Sequence, residues 1–166
     1  MKKLAIIPSR YESSRFPGKP LIDLNGKSMI QRVYEGVQNS NVFDKAVVAT
    51  DDKRIFEHVI SFGGDVIMTS KNHQSGTDRC GEVIQKLSDY DVVVNVQGDE
   101  PLVDKQQLQQ LISAFDDENV EIATLGTPKI SPEEYKDSNR IKIVLDYKKD
   151  ALYFSRSPIP YERNET

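Results

Sequence analysis

The sequence has a single cysteine, Cys80, and two histidines, His58 and His73. One cysteine excludes an internal disulfide, so a reducing cytoplasm is the simplest compartment. Neither histidine has the spaced partners of a zinc site, and no Ser-His-Asp arrangement can be argued from them. Long apolar runs are missing as well, none approaching the roughly 18 residues of a membrane span. The start Met1-Lys2-Lys3 imitates a signal peptide. Its apolar stretch ends at Pro8, with Arg10 behind it, too short for the core of one. Positive charge is in deficit, with 22 Lys and Arg against 26 Asp and Glu and a formal net charge of -4. A broad basic face for nucleic acid is therefore not expected, and neither a nucleic-acid nor a membrane partner is predicted. Repeats and low-complexity tracts are absent.

What remains is an ordinary globular composition, 37% hydrophobic and 29% charged over 166 residues. That length suits one domain with a proper core. Short runs at Leu4-Ile7, Ala46-Ala49, Val92-Val96 and Ile141-Leu145 are almost continuously apolar, as in strands of a parallel sheet buried on both faces. Val66-Ile67-Met68 adds a short strand. Between them, four segments have helical periodicity. Ser28 to Gln31 reads as a capping box opening a helix to about Asn39, with Met29, Ile30, Val33 and Val37 on its apolar face. Ile55, Phe56, Val59 and Ile60 mark a second helix, stopped by Gly63-Gly64. Cys80, Val83, Ile84 and Leu87 mark a third, and Leu108, Leu111, Ile112 and Phe115 a fourth, capped by Asp104. The order predicts an α/β layered domain. Residues 126–140 read as a polar connection with one helical turn, and Ile141-Leu145 with Ala151-Ser155 as a hairpin.

Ligands of open α/β sheets sit beyond the carboxyl ends of the strands, so the residues after each strand carry the chemistry. Pro8 to Pro20 follows the first strand and sets Arg10, Arg15 and Lys19 against one acid, Glu12. Its glycine, Gly18, lets backbone approach an anion, and its arginines offer forked donors to phosphate oxygens. Gly26-Lys27-Ser28 imitates the end of a phosphate-binding P-loop, but Leu21 stands where the upstream glycine is needed. Thr50-Asp51-Asp52 follows the second strand, with Asp52 read as a helix cap. Ser75, Gly76 and Thr77 follow the third and offer hydroxyl and backbone donors at a helix start, for an anion or a base edge or for simple capping. Gln97-Gly98-Asp99-Glu100-Pro101 ends the fourth. Its carboxylates suit Mg²⁺, which takes one or two carboxylates plus substrate phosphates, and Asp99 is the ligand candidate; the same residues also suit a turn. Cations and a carboxylate at adjacent strand ends describe a nucleoside triphosphate held with Mg²⁺ for displacement at phosphorus.

Five segments in order, Ile6-Leu21, Val48-Asp52, His73-Arg79, Val94-Pro101 and Ala151-Arg156, resemble those of the 3-deoxy-manno-octulosonate (Kdo) cytidylyltransferases, the CMP-Kdo synthetase family. The resemblance spans nearly the whole chain. It implies a three-layer nucleotide-diphospho-sugar transferase-like fold with a mixed, mostly parallel sheet, and one nucleotidyltransferase domain over residues 1–166, incomplete at its C-terminus. It implies transfer of CMP from CTP to Kdo with Mg²⁺ and release of pyrophosphate, for lipopolysaccharide biosynthesis in the cytoplasm. Arg10, Arg15 and Lys19 would hold the triphosphate, with Arg10 and Lys19 catalytic. Ser75, Gly76 and Thr77 would lie near the nucleotide, Gln97 between nucleotide and sugar, Asp99 on Mg²⁺, and Arg156 on the acidic sugar. The role of Arg79 is left open between ligand and scaffold. The family chain continues past the position of Thr166 with another metal-binding acid, sugar contacts and much of a homodimer interface. CTP binding with little turnover is therefore expected of this chain. Two other readings stand beside this one: a cytidylyltransferase for an acylneuraminate or amino-Kdo sugar, and a non-catalytic nucleotide-binding module.

Overall fold

A computed structural model describes residues 1–12, 16–161 and 163. The chain divides into two compact units, Met1–Ala123 and Thr124–Thr166. In the first, four strands, β1 (Lys3–Ser9), β2 (Lys45–Thr50), β3 (Val66–Met68) and β4 (Val92–Asn95), form a parallel sheet in the order β3-β2-β1-β4. Four helices alternate with them: α1 (Met29–Ser40), α2 (Lys53–Ser61), α3 (Gly76–Lys86) and, after β4, α4 (Lys105–Ser113).

The apolar runs are continuous because both faces of the sheet are covered. Along β1, Ala5 and Ile7 join a core with α1, α2 and α4 through Ile30, Val33, Ile55, Val59, Leu108 and Ile112. Leu4 and Ile6 face the other way, into a smaller core with Cys80 and Val83 of α3. Successive strand residues point to opposite faces, so one uninterrupted run serves two layers of helices. This is the expected three-layer α/β class.

Helix starts follow the expected caps. Asp52 accepts from the Arg54 N–H at 2.9 Å, and Asp104 from the Gln106 N–H at 2.7 Å. Ser28 accepts from the Gln31 N–H at 3.2 Å, but the Gln31 side chain turns to Glu35 at 2.9 Å instead of completing the capping box. The Ser28 hydroxyl also lies 2.6 Å from Nε2 of His58 on α2. The segment that imitates a P-loop is a tight turn in which Asn25 and Gly26 both have positive φ and the Leu24 N–H donates to Lys27 O at 2.7 Å.

Strand β1 runs two residues further than its apolar stretch and includes Pro8, which has no N–H. The carbonyls of Lys2 and Ile6 accept from Val92 and Val96, so alternate residues of β1 face β4. Pro8 falls in that series just past the last β1–β4 register pair, Ile6 with Asn95. Its missing donor therefore breaks no ladder bond.

In the second unit, α5 (Pro132–Lys136) is the single helical turn of the connection, opened by a capping box between Ser131 and Glu134. Strands β5 (Lys142–Leu145) and β6 (Ala151–Ser155) form the expected antiparallel hairpin. The Lys142 ammonium is buried and donates to the carbonyls of Asp137, Arg140 and Arg156 at 2.8, 2.7 and 2.7 Å. All three of its protons are used.

Candidate nucleotide site

A cavity of about 670 Å³ opens at the carboxyl edge of the parallel sheet in the first unit. Four segments wall it, as the topology of an open α/β sheet requires. Pro8, Ser9 and Arg10 come from the end of β1, and Phe16, Lys19, Pro20, Ile22, Leu24 and Met29 from the approach to α1. His73, Gln74, Ser75, Gly76 and Arg79 come from the entry to α3, and Gln97, Gly98 and Asp99 from the end of β4.

The strand end is packed tightly enough to require two glycines. A Cβ on Gly98 would lie 2.9 Å from the Pro8 carbonyl oxygen, and one on Gly76 would lie 3.2 Å from Pro8 Cγ. Pro8 is thereby gripped between the start of α3 and the end of β4, which brings their polar groups to one opening. A third glycine, Gly18, has φ +74° and places its Cα against the Tyr11 ring. Its N–H donates to the Tyr11 carbonyl at 2.9 Å, and a 3-10 turn, Lys19–Leu21, begins directly after it.

That turn aims Lys19 across the opening. Its ammonium meets the Asp99 carboxylate at 2.6 Å, both side chains being partly exposed. The candidate phosphate ligand and the candidate metal ligand thus pair with each other. On the far side, Ser75 caps α3. Its hydroxyl accepts from the Asp78 N–H at 3.1 Å, and Asp78 accepts in return from the Ser75 N–H at 3.1 Å and hydroxyl at 2.7 Å. Ser75 is thus committed to capping, whereas the N–H groups of Gly76 and Thr77 belong to a first turn that lacks intrahelical acceptors. The positive end of the helix dipole favours an anion there.

The structure brings Arg10, Lys19, Ser75, Gly76, Gln97 and Asp99 to one cavity. Thr77 falls in the first turn of α3 rather than on the described wall. Arg156 lies in the second unit, where its guanidinium donates to the Ser138 carbonyl at 3.0 Å. Arg15 lies outside the described residues.

Arg79 is 3% exposed, and its guanidinium meets Asp51 at 3.0 Å and donates to the Thr69 hydroxyl. It joins the ends of β2 and β3 to α3 and still reaches the cavity wall. His73, also on the wall, meets Glu82 of α3 at 2.6 Å. Hydrogen bonds from Lys86, the Ser70 N–H and His73 hold the Glu82 carboxyl down at about 2. Ser9 Oγ is buried with no hydrogen-bond partner among the described residues. Ser9, His73 and Arg79 fall within the segments that carry the family resemblance, but neither residue type nor spacing assigned Ser9 or His73 a role. The alternation of strand and helix is the signal that could have placed them.

No group of three or more His, Cys, Asp or Glu among the described residues could hold a metal by itself. The Asp99 carboxylate on the cavity wall suits Mg²⁺, which takes one or two protein carboxylates and fills the rest of its shell with substrate phosphates and water. The close approach of the Lys19 ammonium shows that this carboxylate is accessible to a cation.

Known proteins resemble this chain over nearly its whole length. The sequence model of a family described as Cytidylyltransferase matches residues 4–166. A 3-deoxy-manno-octulosonate cytidylyltransferase of Parabacteroides distasonis is 53% identical over 170 residues, covering 99% of this chain and 67% of that protein. Its counterpart in Fusobacterium nucleatum is 48% identical, covering 98% of this chain and 66% of that protein. A solved CMP:2-keto-3-deoxy-manno-octonic acid synthetase, complexed with CTP, superposes with a TM-score of 0.91 at 45% identity, covering 99% of this chain and 68% of that one. The chain spans about two thirds of the length of the curated relatives it matches.

Proposed function

This chain belongs to the cytidylyltransferase family, and on that footing we propose that it carries the CTP site of an enzyme that transfers CMP from CTP to Kdo. The products are CMP-Kdo, a precursor for lipopolysaccharide, and pyrophosphate. The observation that carries the reading is the meeting of Arg10, Lys19, Asp99 and the start of α3 in one cavity at the sheet's carboxyl edge.

In this reading the anomeric hydroxyl oxygen of Kdo attacks the α-phosphorus of CTP. The bond to the bridging oxygen of the β-phosphate breaks, pyrophosphate leaves, and the hydroxyl proton passes to solvent. No covalent protein intermediate is needed. Lys19 and Arg10 face the triphosphate and stabilise the charge that grows on the leaving pyrophosphate. Arg15 shares that role by its place in the same loop. The N–H groups of Gly76 and Thr77 take a further anionic or polar edge of the nucleotide, with Ser75 shaping the turn that presents them. Gln97 sits between nucleotide and sugar, and Arg156 pairs with the sugar's carboxylate. Asp99 would hold Mg²⁺, which supplies charge neutralisation on the phosphate oxygens when bound. Lys19 then exchanges one anionic partner, Asp99, for another.

The reading carries three further elements: Mg²⁺ as the metal, a cytoplasmic setting and a homodimer of the full-length protein. Cys80 is buried, and burial pushes its thiol up to about 11, as suits an unoxidised core cysteine. None of the described helices is long and apolar enough to cross a membrane. Leu152, Tyr153 and Phe154 of β6 are exposed, which offers apolar surface for a subunit contact.

Calorimetric titration of the chain with CTP, UTP, ATP and GTP in Mg²⁺ tests the nucleotide, and CTP is expected to bind tightest. Addition of Kdo, an acylneuraminate and an amino-Kdo sugar to the CTP-loaded chain, with pyrophosphate release followed, tests the acceptor. Preference for another nucleotide, or release driven by another sugar acid, would overturn the assignment.

A further inference from the structure

The basic loop is held by a contact that its own residues do not explain. Tyr11 sits at one end of the loop and Gly18 at the other, joined by the Gly18 N–H to Tyr11 carbonyl bond of 2.9 Å. Gly18 presses on one part of the Tyr11 ring, where a Cβ would come within 3.1 Å of the phenol oxygen. The Arg54 guanidinium, from the first turn of α2, lies over the ring with its central carbon 3.3 Å from the centroid. Arg54 does not lie there loosely. Asp52, the residue that caps α2, fixes the guanidinium through two bonds, Nε to Oδ1 at 2.9 Å and Nη2 to Oδ2 at 2.6 Å.

Resting on the nucleotide reading above, we propose that Tyr11 and Arg54 are positioning residues: Arg54 clamps the Tyr11 ring, closes the two ends of the loop together, and so sets Arg10 and Lys19 against the triphosphate. Arg10 precedes Tyr11 and Lys19 follows Gly18, so the closure fixes the backbone next to both cations. The order of support runs from the α2 cap to Asp52, to Arg54, to Tyr11, and then to the loop. A guanidinium stacked on an aromatic face is held by the ring quadrupole as well as by contact, and a pre-set loop loses less freedom when it takes its ligand. This also gives the Asp52-Arg54 pair a use beyond helix capping, which the backbone N–H bond to Asp52 already provides.

The test uses this chain and four variants, Arg54→Ala, Arg54→Lys, Tyr11→Leu and Tyr11→Phe, read by amide hydrogen exchange, CTP titration and thermal unfolding. Arg54 is mostly exposed, so its variants retain the fold. In Arg54→Ala and Tyr11→Leu, exchange at the Gly18 amide should rise, and CTP affinity fall, by about fivefold each, with little change in Tm for Arg54→Ala. Tyr11→Phe keeps the ring face and should restore both values, and Arg54→Lys should restore them in part. Gly18 exchange within about twofold of the parent in both disrupting variants overturns the clamp, whether or not nucleotide binds. Faster exchange with unchanged CTP affinity overturns the positioning role. A parent chain that takes no CTP overturns the nucleotide reading, while the exchange data still decide the clamp.

Discussion

At Glu82 the surroundings of one carboxylate decide how the entry to α3 responds to acid. The folded carboxyl is held near 2, against an ordinary value of 4.5, chiefly by Lys86, then by the Ser70 N–H and His73. A depressed folded value means that the stabilisation is complete above the unfolded value and is lost as pH falls from about 4.5 through 2. Urea unfolding across that window should therefore show a steeper loss of stability in the parent than in Glu82→Gln; equal slopes would contradict the assignment. Ser9 is the opposite case. Its hydroxyl is buried at the cavity wall without a partner among the described residues, and an unpaired buried hydroxyl costs about 1 to 3 kcal/mol. Ser9→Ala should accordingly raise the unfolding free energy by about 1 kcal/mol in a denaturant titration.

At the level of elements, the site depends on two chain segments, the start of α3 and the end of β4, closing tightly on Pro8. Adding a methyl group at Gly98 sets a carbon 2.9 Å from a backbone oxygen, which cannot rotate away. Gly98→Ala should shift the end of β4, destabilise the chain by about 1 to 3 kcal/mol and weaken CTP binding. Equal unfolding midpoints for parent and variant would show that the strand ends can separate freely. The elements themselves were legible beforehand. Continuous runs such as Leu4-Ile7 announced strands covered on both faces, and Asp52, Ser75 and Asp104 announced helix starts, because these signals are local. Long-range contacts left no such trace. Nothing around Arg79 in the sequence says that it will meet Asp51 and Thr69, and nothing around Lys142 says that its ammonium will be buried under three carbonyls. The cavity was legible in part. Arg10, Lys19 and Asp99 stood out by charge after a strand, whereas His73 and Ser9 lay in the same segments without a signal that gave them a role.

Over the whole molecule, a chain of net charge -4 still sets Arg10 and Lys19 together on the wall of one cavity. Arg10 and Lys19 stand at the opening of a cavity in the larger unit, so the field that matters is local, and screening by salt should weaken nucleotide binding more than folding. The central claim is that this opening holds CTP together with Mg²⁺ through Asp99. It is tested most directly by titrating CTP into the parent chain and Asp99→Asn, each with Mg²⁺ and with chelator. Mg²⁺ should tighten binding in the parent by about tenfold or more and have little effect in the variant. The same affinity in all four titrations would contradict it.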